Sequence, residues 1–77
     1  MIDKIVEIIV RYADIEPGEI KKESKLAEDL GLTSFAVMSM MGDFEDEFGI
    51  TIDDTELIDI QTVGDIADYI QKMKKQG

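Results

Sequence analysis

The sequence predicts an all-α fold: a small bundle of three main helices plus a short fourth. Three observations carry this. Apolar residues recur at steps of three and four in three separate stretches. Strand signals are weak. The chain has 77 residues, 44% of them hydrophobic, enough material for one core and not for two. Residues 1–77 therefore read as a single domain.

The first stretch sets Ile2, Ile5, Val6, Ile9 and Ala13 on one side and Asp3, Lys4, Glu7 and Arg11 on the other. This predicts an amphipathic helix over residues 2–14. Ile15-Glu16-Pro17-Gly18 ends it, because a proline pushes its predecessor out of helical geometry. Residues 19–33 read as a long loop pinned to the core by Ile20, Leu26, Leu30 and Leu32, with Ser24 capping a short turn over Lys25–Asp29.

A second helix runs from Ser34 to about Phe48, and Gly49 is its stop signal. Wrapped at about 100° per residue, it places Val37, Met40, Met41, Phe44 and Phe48 on the core stripe. Ser39, Asp43, Asp46 and Glu47 lie away from that stripe. Phe35 and Met38 fall on a flank near Ser34, together with Gly42. A mid-helix glycine costs about 1 kcal/mol relative to Ala, and it leaves room for something to approach closely.

Ile50-Thr51-Ile52 is a short extended link, after which Asp53 or Asp54 caps a brief helix around Thr55–Ile58. The last helix begins at Thr62. Thr62-Val63-Gly64-Asp65 has capping-box spacing, with Asp in place of the preferred Glu. Val63, Ile66, Ala67, Ile70 and Met73 form its apolar stripe. Lys72, Lys74 and Lys75 complement the negative end of its dipole.

Charge narrows the function classes. Eighteen acidic and eight basic side chains leave a net charge of -10. No Lys or Arg lies between Leu26 and Gln71, a stretch that holds twelve of the acids. Nucleic acid and anionic membrane surfaces would meet a field of their own sign. That middle reads either as a solvated surface or as a docking surface for basic partners.

There is no cysteine and no histidine, which excludes disulfides, thiolate metal sites and every Ser-His or Cys-His mechanism. Charges break the apolar run at the N-terminus, so it does not read as a signal peptide. No apolar stretch is long enough to cross a membrane. The expectation is a cytoplasmic monomer without stable membrane insertion.

Three constellations carry candidate chemistry. Asp43-Phe44-Glu45-Asp46-Glu47-Phe48-Gly49 is acidic enough for a calcium loop, but the spacing fails. Phe48 stands where the sharp-turn glycine belongs and Asp54 where the bidentate Glu belongs, so no metal site is assigned. Lys72-Met73-Lys74 resembles a swinging-arm lysine motif, but it closes a helix instead of tipping a hairpin. Ser34 is a hydroxyl at the start of the second helix. As an N-cap it is unremarkable, but Thr33 serves that role equally well. With no base in the chain, Ser34 does not activate itself; another enzyme can modify it. A phosphate there would meet the free N–H groups of the helix start.

Leu30-Gly31-Leu32-Thr33-Ser34-Phe35, followed by Phe44-Glu45-Asp46-Glu47-Phe48-Gly49-Ile50-Thr51-Ile52, resembles the acyl carrier protein family over nearly the whole chain. Thr62-Val63, Asp68-Tyr69-Ile70 and the helix order fit as well. The resemblance implies that Ser34 receives 4′-phosphopantetheine from coenzyme A through a separate phosphopantetheinyl transferase and Mg²⁺. The arm's thiol then carries an acyl group between fatty-acid or polyketide-type enzymes. The chain itself would be a non-catalytic carrier.

It further implies partners with basic patches docking on the second helix. Phe35 and Met38 would be apolar contacts, and Asp43, Glu45, Asp46 and Glu47 charge contacts. The chain departs from the family pattern at Thr33, where Asp is usual, at Phe35, where Leu is usual, and at Ala36 and Ser39, where acids are common. The start of the recognition helix is therefore less acidic than in housekeeping carriers. Aminoacyl carriers share the fold, so acyl and aminoacyl cargo stay open, as does an unmodified acidic binding module.

Overall fold

Ile5, Ile8 and Ile9 of α1 (Ile2–Ile9) are fully buried and form the centre of the core. The computed structural model describes residues 2–76, without the side chains of Asp54, Lys75 and Gln76. Its helices are α1, α2 (Ser34–Phe48) and α3 (Val63–Gln76), and α1 packs against both of the others. Met40 and Phe44 from α2, and Val63, Ile66 and Ile70 from α3, close over the α1 isoleucines. The all-α reading holds. Ile8 was absent from the predicted stripe, because α1 is apolar on more than one side and meets two helices. Ile2 and Val6 are only partly buried.

α1 is shorter than the spacing predicts. Beyond Ile9, three-residue bonds, Arg11 N–H to the Ile8 carbonyl at 3.1 Å and Tyr12 N–H to the Ile9 carbonyl at 2.9 Å, mix with four-residue ones from Val10 N–H to the Val6 carbonyl (3.0 Å) and Ala13 N–H to the Ile9 carbonyl (2.9 Å). The cause is tertiary. The Tyr12 hydroxyl donates to the Asp43 carboxylate, the Arg11 guanidinium lies 3.6 Å from the same group, and Ala13 is buried. These contacts tie the end of α1 to the middle of α2 and run the helix into a turn. Pro17–Glu19 then forms a 3₁₀ turn, at the turn that Ile15-Glu16-Pro17-Gly18 predicts.

The long loop behaves as its leucines predict. Ile20, Leu26, Leu30 and Leu32 are all buried. Ser24 does not cap the following turn; its Oγ accepts from Lys21 N–H at 2.9 Å. Asp29 closes that turn instead, its carboxylate accepting from Lys25 N–H at 2.8 Å. The loop is stapled to the start of α3 by Leu26 N–H to the Gln61 carbonyl (2.9 Å), Val63 N–H to the Ser24 carbonyl (3.1 Å) and Gly64 N–H to the Lys22 carbonyl (2.8 Å). An isolated antiparallel bridge joins Lys25 and Thr62. A Cβ on Gly64 would come within 3.2 Å of the Lys22 carbonyl oxygen, so glycine is what lets the loop lie this close.

The short fourth helix is a 3₁₀ helix over Asp54–Asp59. Asp53 caps it, accepting from Thr55 N–H at 2.9 Å and from the Thr55 hydroxyl at 2.8 Å. These two bonds hold the Asp53 carboxyl below its ordinary range. A cap signal looks the same for either helix type.

The capping box at Thr62 forms as its spacing predicts. Thr62 Oγ1 accepts from Asp65 N–H (3.1 Å), and the Asp65 carboxylate accepts from Thr62 N–H (3.1 Å) and Gln61 N–H (3.0 Å). The Gln61 bond is the main reason the Asp65 carboxyl sits below its ordinary value. At the other end of α3, the Lys74 ammonium lies 5.6 Å from the centre of the Phe48 ring. Lys75, assigned with it to the helix end, has its side chain outside the described residues.

A carboxyl depressed in the folded state stabilises the fold above its unfolded pKa and loses that contribution as pH falls through its folded value. Asp65→Ala is therefore expected to lower stability at pH 7 by about 1 kcal/mol. The gap should narrow below about pH 4. Thermal unfolding at moderate salt, which screens repulsion from Asp59 and Asp68, checks this. Equal melting temperatures at pH 7 would contradict the box.

Candidate functional site

α2 begins cleanly at Ser34 because Thr33 takes the cap. Thr33 is extended (φ -80°, ψ 166°), and its hydroxyl accepts from Ala36 N–H at 3.1 Å. Ser34 is thus the first helical residue, exposed and relieved of capping duty. No acid occupies the first turn of α2. At the far end, Gly49 adopts the left-handed conformation (φ 65°) and its N–H returns to the Glu45 carbonyl.

A groove of about 380 Å³ opens beside Ser34. Leu26, Leu32, Val37 and Ile60 give it an apolar wall, while Lys25 and Glu28 stand at its polar side. The stapled loop supplies one bank, the start of α2 another, and the exit of the 3₁₀ helix the third.

The predicted docking residues separate into two groups. Phe35 and Met38 stand clear of the core, 81% and 58% exposed. Asp46 and Glu47 are exposed, with Glu47 4.0 Å from the Lys4 ammonium. Asp43 and Glu45 work inside the fold. The Asp43 carboxylate holds Tyr12 and faces Arg11; accepting the phenol's hydrogen bond pushes the Tyr12 pKa up, with burial adding to it. Glu45 Oε2 accepts from Ile52 N–H at 2.8 Å, fastening the chain after α2.

Phe35, Met38, Gly42 and Asp46 follow one another at steps of three and four, so they share one face of α2. A Cβ on Gly42 would meet nothing within 4 Å; no internal packing calls for glycine there. Ile58, 78% exposed on the 3₁₀ helix, is a further outward apolar side chain that the sequence pattern missed. It was indistinguishable there from the partly buried Leu57 and the buried Ile60 of the same short segment.

Phe44 is fully buried and its ring lies 6.3 Å from that of Phe48, so the acidic run belongs to a packed helix. Among the described residues no three acidic side chains converge to hold a metal ion, and no helix is long and apolar enough to cross a membrane.

Residues 3–70 match the family model described as a phosphopantetheine attachment site. The chain is 42% identical to the acyl carrier protein of Wolinella succinogenes, across 94% of this chain and 95% of that one. It is 41% identical to the acyl carrier protein of Thermotoga maritima, across 90% and 85%. A solved acyl carrier protein structure from Enterococcus faecalis superposes with a TM-score of 0.81 at 35% identity, covering 94% of this chain and 91% of that one. The chain therefore belongs to the acyl carrier protein family, non-catalytic carriers that bear their cargo on phosphopantetheine.

Proposed function

We propose that Ser34 is the attachment residue and that its exposed flank of α2 is where acyl-handling enzymes dock. The observation that carries this is the division of labour at the helix start. Thr33 does the capping, which leaves the Ser34 hydroxyl at an exposed first turn beside an apolar-walled groove. The residues fit the group: an accessible hydroxyl, helix N–H groups facing a phosphate, and a recess for a slender chain. The bond formed is from Ser34 Oγ to phosphorus. The hydroxyl proton passes to the transferase, the P–O bond of coenzyme A's pyrophosphate breaks, and adenosine 3′,5′-bisphosphate departs. When attached, the arm supplies a terminal thiol for thioesters. This chain's own residues position the arm and present it to partners.

Docking follows from what faces outward. Phe35, Met38, Gly42 and Asp46 form a strip leading away from Ser34, with Glu47 beside it. An apolar recess flanked by basic residues is the complementary surface. Asp43 and Glu45 add to the negative field while their hydrogen bonds hold the helix in place. The absence of any acid in the first turn shifts charge contacts toward the distal end of α2. On this reading residues 1–77 act as one monomeric carrier domain in the cytoplasm, handling acyl chains.

Incubation with coenzyme A and a broad-specificity transferase is expected to add one phosphopantetheine mass, and Ser34→Ala to abolish it while the fold persists by circular dichroism. Failure of several transferases to modify the native chain would contradict the assignment.

Two substitutions test the docking strip. Phe35→Ala and Asp46→Lys should each raise the KM of a partner acyltransferase for the carrier about tenfold, with little change in melting temperature. Gly42→Ala should stabilise the domain by up to about 1 kcal/mol yet weaken partner binding. A gain in both stability and binding would show that nothing approaches α2 at that point.

A further inference from the structure

We infer that Lys25 is the counter-ion of the arm's phosphodiester and the positioning residue that draws the arm toward the groove; this rests on the Ser34 reading above. The groove beside Ser34 has one cation in its lining, Lys25, and one anion, Glu28. The sequence offers no other Lys or Arg until Lys72. A phosphodiester on Ser34 would bring a second negative charge to a rim that already holds Glu28. Lys25 is the group placed to offset it.

The backbone at Lys25 is held in place. Its N–H donates to the Asp29 carboxylate (2.8 Å), its carbonyl accepts from Asp29 N–H (2.9 Å) and Leu30 N–H (3.0 Å), and it bridges to Thr62. Its side chain is free to turn. The ammonium rests 3.3 Å from Glu28, in a pair whose side chains are 55% and 73% exposed. Exposed pairs at this spacing hold weakly, so a nearby phosphodiester competes easily for the charge. A lysine suits this exchange, since its ammonium is a point charge on a flexible stem that does not demand bidentate geometry. With Lys25 on the phosphodiester, the arm's base leans over Leu26, Leu32, Val37 and Ile60 and away from bulk water.

The test uses the whole chain in apo and holo forms, with the mass gain on Ser34 established first. Conversion to holo is expected to move the Lys25 side-chain ε-methylene NMR signals, and rising salt to return them toward their apo positions. Lys25→Gln should move the ³¹P signal of the arm toward that of a free phosphodiester. Lys25→Arg should restore it, and Glu28→Gln should shift it the opposite way from Lys25→Gln. Lys25 signals that are identical in apo and holo protein, or a ³¹P signal indifferent to Lys25→Gln, would overturn the inference alone. A chain that never gains the arm would overturn the Ser34 reading and this inference with it.

Discussion

The structure depends on a loop that has to act as core. A chain this short cannot leave the stretch between its first two helices idle and still bury enough apolar surface. Leu26, Leu30 and Leu32 supply that surface. Burying them requires partners for the loop's backbone, and these come from Gln61, Val63 and Gly64 at the start of α3, paired with Leu26, Ser24 and Lys22 of the loop. The same staple fixes where the loop ends. Thr33 arrives in extended geometry to cap α2, and the following hydroxyl is held at the lip of the groove. Site and core are consequences of one constraint.

The acidic charge has two uses that the total of -10 conceals. Part of it holds the molecule together: Asp65 and Asp53 cap helix starts, Asp29 closes a turn, and Asp43 and Glu45 fasten α2 to what precedes and follows it. The remainder, notably Asp46 and Glu47, faces solvent. Side chains that must stay in place are thereby held by backbone or phenol donors, and the outward-facing ones stay free to adapt. The structural carboxylates cost little mutual repulsion, because each donor offsets part of its charge.

Much of this was legible in the residues. The 3.6-residue period located α2 and its core stripe, the capping-box spacing located α3, and the Leu-Gly-Leu-Thr-Ser-Phe run with its distal acidic helix located the family and pointed to Ser34 as the proposed attachment residue. What stayed hidden depends on contacts distant in sequence. Nothing around Tyr12 shows that its hydroxyl will reach Asp43 thirty-one residues away and turn the end of α1. A helical wheel shows Asp43 and Glu45 as surface acids, since it carries no information about the chain lying against that surface. A cap signal does not separate a 3₁₀ helix from an α-helix, and the exposure of Ile58 depends on which side of a short segment meets the core.

The candidate site rests on the division between a capping Thr33 and an available Ser34. Peptide-level mass spectrometry of the modified chain tests it most directly, because Ser24, Thr33, Ser39 and Thr51 are competing hydroxyls in the same region. Fragment ions are expected to place phosphopantetheine on Ser34 alone. Phosphopantetheine on Thr33, or distributed among these hydroxyls, would contradict it.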